Sequence, residues 1–231
     1  MVEIVAELSG NHGGSLSKAM DMIRYAAHCG CDHAKFQFYR PEDMPDRHEG
    51  NNDAMYRKLM VPDEWLPDLF AVAHRFEIGL FASVFSVRAV ETLLKFDVPY
   101  IKIASPSSTL LADDTYRDII AATPPCVGLI FSTSFFPWAR NRAREFDRIL
   151  FCPYGHPPVI TQDEVDYYYR HNFTGFSDHT PGIAAPLMFN RKRFGHDCMI
   201  EKHFKIDDDC IDAAFSAGDE TMALLCKLAH R

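Results

Sequence analysis

The chain has 231 residues, 47% of them hydrophobic and 24% charged, which suits a globular domain with a sizeable core. Its formal net charge of −8 argues against general binding to nucleic acid or to a membrane surface, so an anionic ligand would need local positive partners. No apolar run approaches the roughly 18 residues of a membrane span, and MVEIVAEL lacks the basic start and cleavage site of a secretory leader.

In chain order, a strand at 2–7 runs through the loop GNHGGS into a helical pattern over 16–29. The loop lacks the GK[ST] ending of a phosphate loop and reads as a tight turn that uses the freedom of glycine. A strand at 33–38 precedes the long connection Phe38–Val61, rich in Asp, Arg, Asn and Pro. A connection of that size is a lid or disordered, with NDAMYRKLM suited to a short helix. Strands at 78–84, 99–104, 125–132, 148–152, 173–178 and 198–204 then alternate with helical patterns at 62–76, 86–96, 110–122, 137–147, 161–171 and 183–194. A last helix, DETMALLCKLAH, closes the chain. Strands alternating with helices predict parallel pairing, and eight such units predict a closed α/β barrel, a (β/α)8 TIM barrel, as a single domain over 1–231. The 7 cysteines include no CxxC and read as reduced thiols in a cytoplasmic protein, so a cysteine-based metal site is not expected.

Side chains alternate faces along a strand. In HAKFQF, Ala34, Phe36 and Phe38 suit a helix layer and leave His33, Lys35 and Gln37 inside the barrel. The same alternation turns Lys102, Gly175, Ser177, His179, Glu201 and His203 inward, and lets Glu3, Val5 and Glu7, Ser83 and Ser132 join them. These polar residues are expected near the C-terminal strand ends, where barrel enzymes keep their chemistry. Unpaired buried charge is costly, so such a gathering implies a purpose.

Lys35 and Lys102, with Ser83, Ser132 and Ser177, form an expected cationic, hydroxyl-rich cup for a phosphate or carboxylate. His179 and His203, on adjacent strands, leave open positions on a divalent metal that would act as a Lewis acid on a carbonyl. Glu7 and Asp212 can handle protons or position water.

The ordered motifs resemble the N-acetylneuraminate (sialic acid) synthase family. AELSGNHGGSLSKAMDMI is similar to its AExGxNHxGxxxxAxxMI opening, HAKFQ to AVKFQ, YIKIAS to YKIAS, FSTS to STGM, GFSDHTPG to GYSDHT and IEKHFKID to IEKHFTLD. The resemblance implies a (β/α)8 barrel and a carbon–carbon bond-forming transferase. It would condense phosphoenolpyruvate with a sugar aldehyde to a 2-keto-3-deoxy sugar acid, releasing phosphate by C–O cleavage. It assigns Lys35, Ser83, Lys102, Ser105, Ser132 and Ser177, with Glu201 beside them, to phosphoenolpyruvate. His179 and His203 would hold a divalent metal, usually Mn²⁺, with Mg²⁺ or Co²⁺ as alternatives. Glu7, Gln37 and Asp212 would face the sugar and the reacting carbons, with Glu7, His203 and Asp212 as the catalytic set. Within GFSDH, Ser177 would then face an anion, His179 a metal, and Gly175 would keep the approach open.

Departures from the pattern cluster in the sugar half. Pro106-Ser107 follows KIAS where the family has Gly-Glu, His156 stands where a tyrosine is expected, Tyr154 where an asparagine often is, and STGM has become STSF. The family's Thr-Pro is Ser83-Val84 here, and neither the antifreeze-like C-terminal domain nor the swapped dimer it supports is expected. The expectation is therefore a retained phosphoenolpyruvate and metal half with an altered acceptor half, and no nucleic-acid or membrane partner. Two alternatives stay open: a Schiff-base aldolase using Lys35 or Lys102, and a non-catalytic sugar- or phosphate-binding barrel.

Overall fold

The computed structural model describes residues 1–106, 111–190 and 195–231. The strands are β1 (Val2–Glu7), β2 (His33–Phe38), β3 (Gly79–Val84), β4 (Tyr100–Ile103), β5 (Gly128–Thr133), β6 (Arg148–Phe151), β7 (Gly175–Asp178) and β8 (Cys198–His203). They pair in parallel in chain order and close where β1 meets β8, the expected (β/α)8 TIM barrel. The register sets Glu7 opposite Lys35 on one side and His203 on the other.

Among the described residues the helices are α1 (Leu16–His28), α2 (Asn52–Leu59), α3 (Leu66–Arg75), α4 (Val87–Leu93), α5 (Asp113–Ala122), α6 (Phe136–Arg140), α7 (Gln162–Arg170), α8 (Ala184–Met188) and α9 (Asp219–Ala229). Outward strand residues such as Ile4, Ala34, Phe36, Ile101, Phe131 and Ile200 pack with Met22, Leu69, Val90, Ile119, Tyr168 and Leu225 of the helices in one apolar shell. Caps fix where helices start: the Ser15 hydroxyl accepts from the Lys18 N–H, and Thr161 with Glu164 forms a reciprocal capping box on α7.

Two helical expectations are corrected. The pattern at 137–147 yields only α6, because Arg144 turns the chain back: it donates to the Pro124 and Val127 carbonyls at 3.2 and 2.6 Å and pairs with Asp147 at 2.9 Å. Asp147 in turn accepts from the Leu129 N–H of β5 at 3.0 Å, so the segment satisfies the barrel rather than continuing a helix. The pattern at 183–194 yields α8, and its last four residues lie outside the described residues, as do Ser107 and the first residue of the helix expected at 110–122. The connection after β2 is ordered: a 3₁₀ turn at Pro41–Asp43 leads into α2, the short helix expected in NDAMYRKLM.

The interior is filled in levels. At the waist, Val5, Phe81, Ile130, Leu150 and Met199 form an apolar plug. Gly175 belongs here, and its expected part in keeping a ligand approach open is corrected. A Cβ on it would stand 1.9 Å from the Met199 carbonyl and 2.7 Å from Leu150 Cδ2, so glycine lets β7 and β8 pack at the plug. Below the plug, Glu3 accepts from Tyr100 at 3.1 Å and contacts His33 at 3.3 Å and Arg148. His33 and Glu3 therefore face inward as expected but at the end opposite the mouth. Alternation fixes the face of a side chain, and only position along the strand fixes its level.

Candidate active site

Above the plug, the C-terminal strand ends enclose a cavity of about 250 Å³. It is lined by Glu7, Lys35, Gln37, Ser83, Lys102, Ser105, Ser132, Ser177, His179, Glu201, His203 and Asp212, so the residues that the family resemblance assigns to substrate, metal and catalysis are brought to one place.

The floor holds two ammonium groups that are each 2% exposed. Lys35 Nζ donates to Ser83 Oγ at 2.8 Å and pairs closely with Glu7 Oε2. Lys102 Nζ donates to both Glu201 oxygens at 2.8 and 2.7 Å, and Ser177 Oγ donates to Glu201 Oε1 at 2.8 Å. The expected cationic cup is thus corrected to a balanced one: each lysine faces a glutamate, because charge this deep is retained only when paired. Burial pushes the Lys35 ammonium down to about 7, opposed by Glu201 and aided by Lys102. Burial raises the Glu201 carboxyl, but Lys102 and Lys35 outweigh it and hold the group well below the carboxylate range. Ser132 Oγ is buried and makes no hydrogen bond, an unsatisfied donor at the cavity wall.

At the rim, the His179 and His203 ring centroids lie 4.8 Å apart, and His156 lies 4.3 Å from His179. Phe215 packs on the His203 ring at 4.8 Å. Burial drives the His179 imidazole well below its ordinary value, and His203 and His156 add to the shift. The residue standing where the resemblance expects a tyrosine, His156, is therefore part of an imidazole cluster. Tyr154 is instead 77% exposed and lies outside the cavity lining.

Over the cavity lies the connection after β2. Tyr39, Met44, Met55, Tyr56 and Leu59 face it together with Phe85, so one side of the cavity is apolar and aromatic. The loop GNHGGS is the tight turn expected, with Gly13 at φ 62° and Gly14 at φ 85°. A Cβ on Gly14 would sit 2.7 Å from the Lys58 carbonyl, which lets the end of α2 close on the barrel.

Several residues that shape the site were not singled out in the sequence. Asn11, fully buried, donates to the Phe204 carbonyl at 2.9 Å and Ser216 Oγ at 3.1 Å, and accepts from the Asp212 N–H at 3.1 Å, so it fixes the loop that carries Asp212. Ser9 holds a left-handed φ of 45° and donates its N–H to Glu7 Oε1 at 2.6 Å. Cys152 lines the floor, its thiol pushed up to about 11 by burial. Asp178 and Lys202 form a sealed ion pair behind the histidines. A charge at an outward strand position was the available signal for that pair, and the polar strand end SDHT for Asp178.

A divalent ion fits the donors at the rim. His203 Nδ1 and Asp212 Oδ2 are both buried and face each other 3.1 Å apart. Imidazole nitrogen and carboxylate oxygen are what first-row divalent metals take. Among the described residues no three His, Cys, Asp or Glu side chains already converge as a ligand set.

A model of the NeuB family matches residues 22–122. Pseudaminic acid synthase of Helicobacter pylori is 30% identical over 243 residues, spanning 93% of this chain and 69% of that protein. The chain belongs to the NeuB family. A pseudaminic acid synthase of Campylobacter jejuni is 31% identical over 255 residues, 97% of this NeuB-family chain and 72% of the relative. Among solved structures, the N-acetylneuraminic acid (sialic acid) synthetase of Leptospira borgpetersenii in complex with citrate superposes with a TM-score of 0.82 at 25% identity, covering 99% of this chain and 82% of that one. Among the described residues of this NeuB-family barrel, no helix is long and apolar enough to cross a membrane.

Proposed function

We propose that this NeuB-family barrel condenses phosphoenolpyruvate with a sugar aldehyde, giving a 2-keto-3-deoxy sugar acid and phosphate. The observation that carries the reading is the vertical order of one cavity, with paired lysines and serines on the floor and two imidazoles beside a carboxylate at the rim. Lys35 and Lys102, with Ser83, Ser105, Ser132 and Ser177, bind the phosphate and carboxylate of phosphoenolpyruvate, and Glu201 holds Lys102 in place. The unsatisfied Ser132 Oγ is ready to donate to an anionic oxygen.

His179 and His203, with Asp212 alongside, would hold a divalent ion, with Mn²⁺ the proposed choice. Such an ion supplies Lewis-acid polarisation of a carbonyl oxygen. The enol carbon forms the new C–C bond to the aldehyde carbon, whose oxygen takes the carbonyl π pair and then a proton to become a hydroxyl; water adds to the carbon that carries the phosphate, and phosphate leaves with its bridging oxygen as that carbon becomes the ketone. Glu7 and Asp212 would orient that water and take its proton. Gln37, whose amide donates to Ser9 Oγ at 3.3 Å, faces the acceptor. The apolar, aromatic side of the cavity would limit water around the reacting groups and so strengthen the charge interactions beside it.

The test is a panel of aldoses and 2-acetamido sugars, each with phosphoenolpyruvate, with and without Mn²⁺ or chelator. Inorganic phosphate and 2-keto-3-deoxy acid are expected together, in equal amounts, and only with metal; no phosphate release across the panel sinks the reading. A second reading, a Schiff-base aldolase, is favoured by one observation, the burial that pushes Lys35 down to about 7 and so frees its amine. Borohydride trapping of substrate on Lys35 would decide for it.

A further inference from the structure

β2, β3, β4 and β6 end outward on Phe38, Val84, Ile103 and Phe151, all within the apolar shell. β7 and β8 end outward on charge. Asp178 and Lys202 are register partners, both with side chains 0% exposed, and Nζ stands 2.7 Å from Oδ2. Each immediately precedes one of the rim imidazoles, His179 and His203. Lys202 Nζ also donates to the Thr180 carbonyl. Asp178 Oδ1 accepts from the Thr180 N–H at 2.9 Å and from Thr180 Oγ1 at 2.7 Å. One ion pair therefore ties down the residues on both sides of His179 and joins them to the residue beneath His203.

An ion pair sealed in this way adds little net stability, because the loss of hydration offsets the attraction, and an apolar pair of similar volume is often as stable. Its value lies in what it fixes in space. We infer that Asp178 and Lys202 are positioning residues that hold the His179 and His203 imidazoles in the spacing needed to share one divalent ion. The inference rests on the proposed metal role of those histidines, but the placement of the rings can be read without metal.

The test replaces the pair with apolar side chains of similar size, Asp178→Leu together with Lys202→Met. The double variant is expected to fold with a melting temperature at or above that of the parent, whereas Lys202→Met alone strands a buried carboxylate and lowers it. In the metal-free double variant, the carbon–proton NMR signals of His179 and His203, assigned by their loss in His179→Ala and His203→Ala, are expected to shift and broaden. Mn²⁺ affinity, read from the paramagnetic resonance of the free ion, is expected to weaken about tenfold or more. Thr180→Val, which removes one hydroxyl bond and leaves the ion pair intact, moves the His179 signals the same way by less. Unmoved His179 signals in either folded variant overturn the positioning role. If His179→Ala itself keeps the parent Mn²⁺ affinity, the metal role has failed, and the ring signals alone decide the positioning role.

Discussion

The two ends of the barrel interior use the same alphabet for different ends. The base carries Glu3, His33, Tyr100 and Arg148; the mouth carries Glu7, Glu201, Lys35, Lys102, His179 and His203. At the base one carboxylate collects three partners. Glu3 is lowered chiefly by its bond to His33, against burial and with help from Arg148. At the mouth the pairs surround open volume, and Ser132 Oγ has no hydrogen bond. His33 Nδ1 is the base's counterpart, and it packs over Gly79. Charge inside a barrel therefore does not mark a site; charge with unsatisfied atoms around open volume does.

Substitutions at the two ends can break that contrast. The largest effect is expected from His203→Ala: a fall in kcat of about a thousandfold or more, since Lewis-acid stabilisation is worth several kcal/mol. Near-parent turnover would mean the mouth imidazoles are no more than packing. Lys102→Ala comes next. It should raise the KM for phosphoenolpyruvate by about thirtyfold or more, as truncating a buried charged partner costs about 2 kcal/mol or more, with a much smaller change in the KM for the sugar. Equal changes in both would remove the assignment of the floor to phosphoenolpyruvate.

The pH dependence sharpens the contrast further. With Lys35 at about 7 in the free protein, the cavity loses that ammonium as pH rises through this value, so the KM for phosphoenolpyruvate is expected to climb there. Glu7→Gln, which removes the carboxylate touching Lys35, should move the climb to lower pH. The sign for stability follows from linkage. The unfolded chain binds this proton more tightly than the folded one, so Lys35 costs stability below about 7, and stability rises with pH from there toward the ordinary value of 10.5. Urea unfolding across that range, with Lys35→Met as the flat control, checks it.

The smallest effects separate the two ends most cleanly. Ser132→Ala should raise the KM for phosphoenolpyruvate about fivefold, roughly one hydrogen bond, with no loss of melting temperature, because an unsatisfied buried hydroxyl is removed. Arg148→Met at the base should do the reverse. It lowers stability by about 1–3 kcal/mol and leaves kcat and both KM values unchanged.

Much of this was legible in the sequence, for identifiable reasons. Period-two alternation separates Lys35 from Phe36 and Ser177 from Phe176 wherever a strand is buried on both faces by different partners. The order of strands follows from the β/α rhythm, and the motifs around GFSDH and IEKHF carry the family. Helix endings were less legible, since the stop after Arg140 is set by Arg144 reaching the carbonyls of another segment.

The amino-acid order by itself determined the barrel, the inward face of each strand and the set of side chains that could meet at one rim, because these depend on local periodicity and chain order. Only the tertiary structure decided the level at which each inward residue sits and which charge neutralises which. It alone placed His33 with Glu3 at the base, Glu7 on Lys35, Glu201 on Lys102, and Asp178 on Lys202 behind the histidines. Those pairings join residues as many as 99 positions apart, as in Lys102 with Glu201, and depend on barrel register and closure, which no stretch of sequence contains.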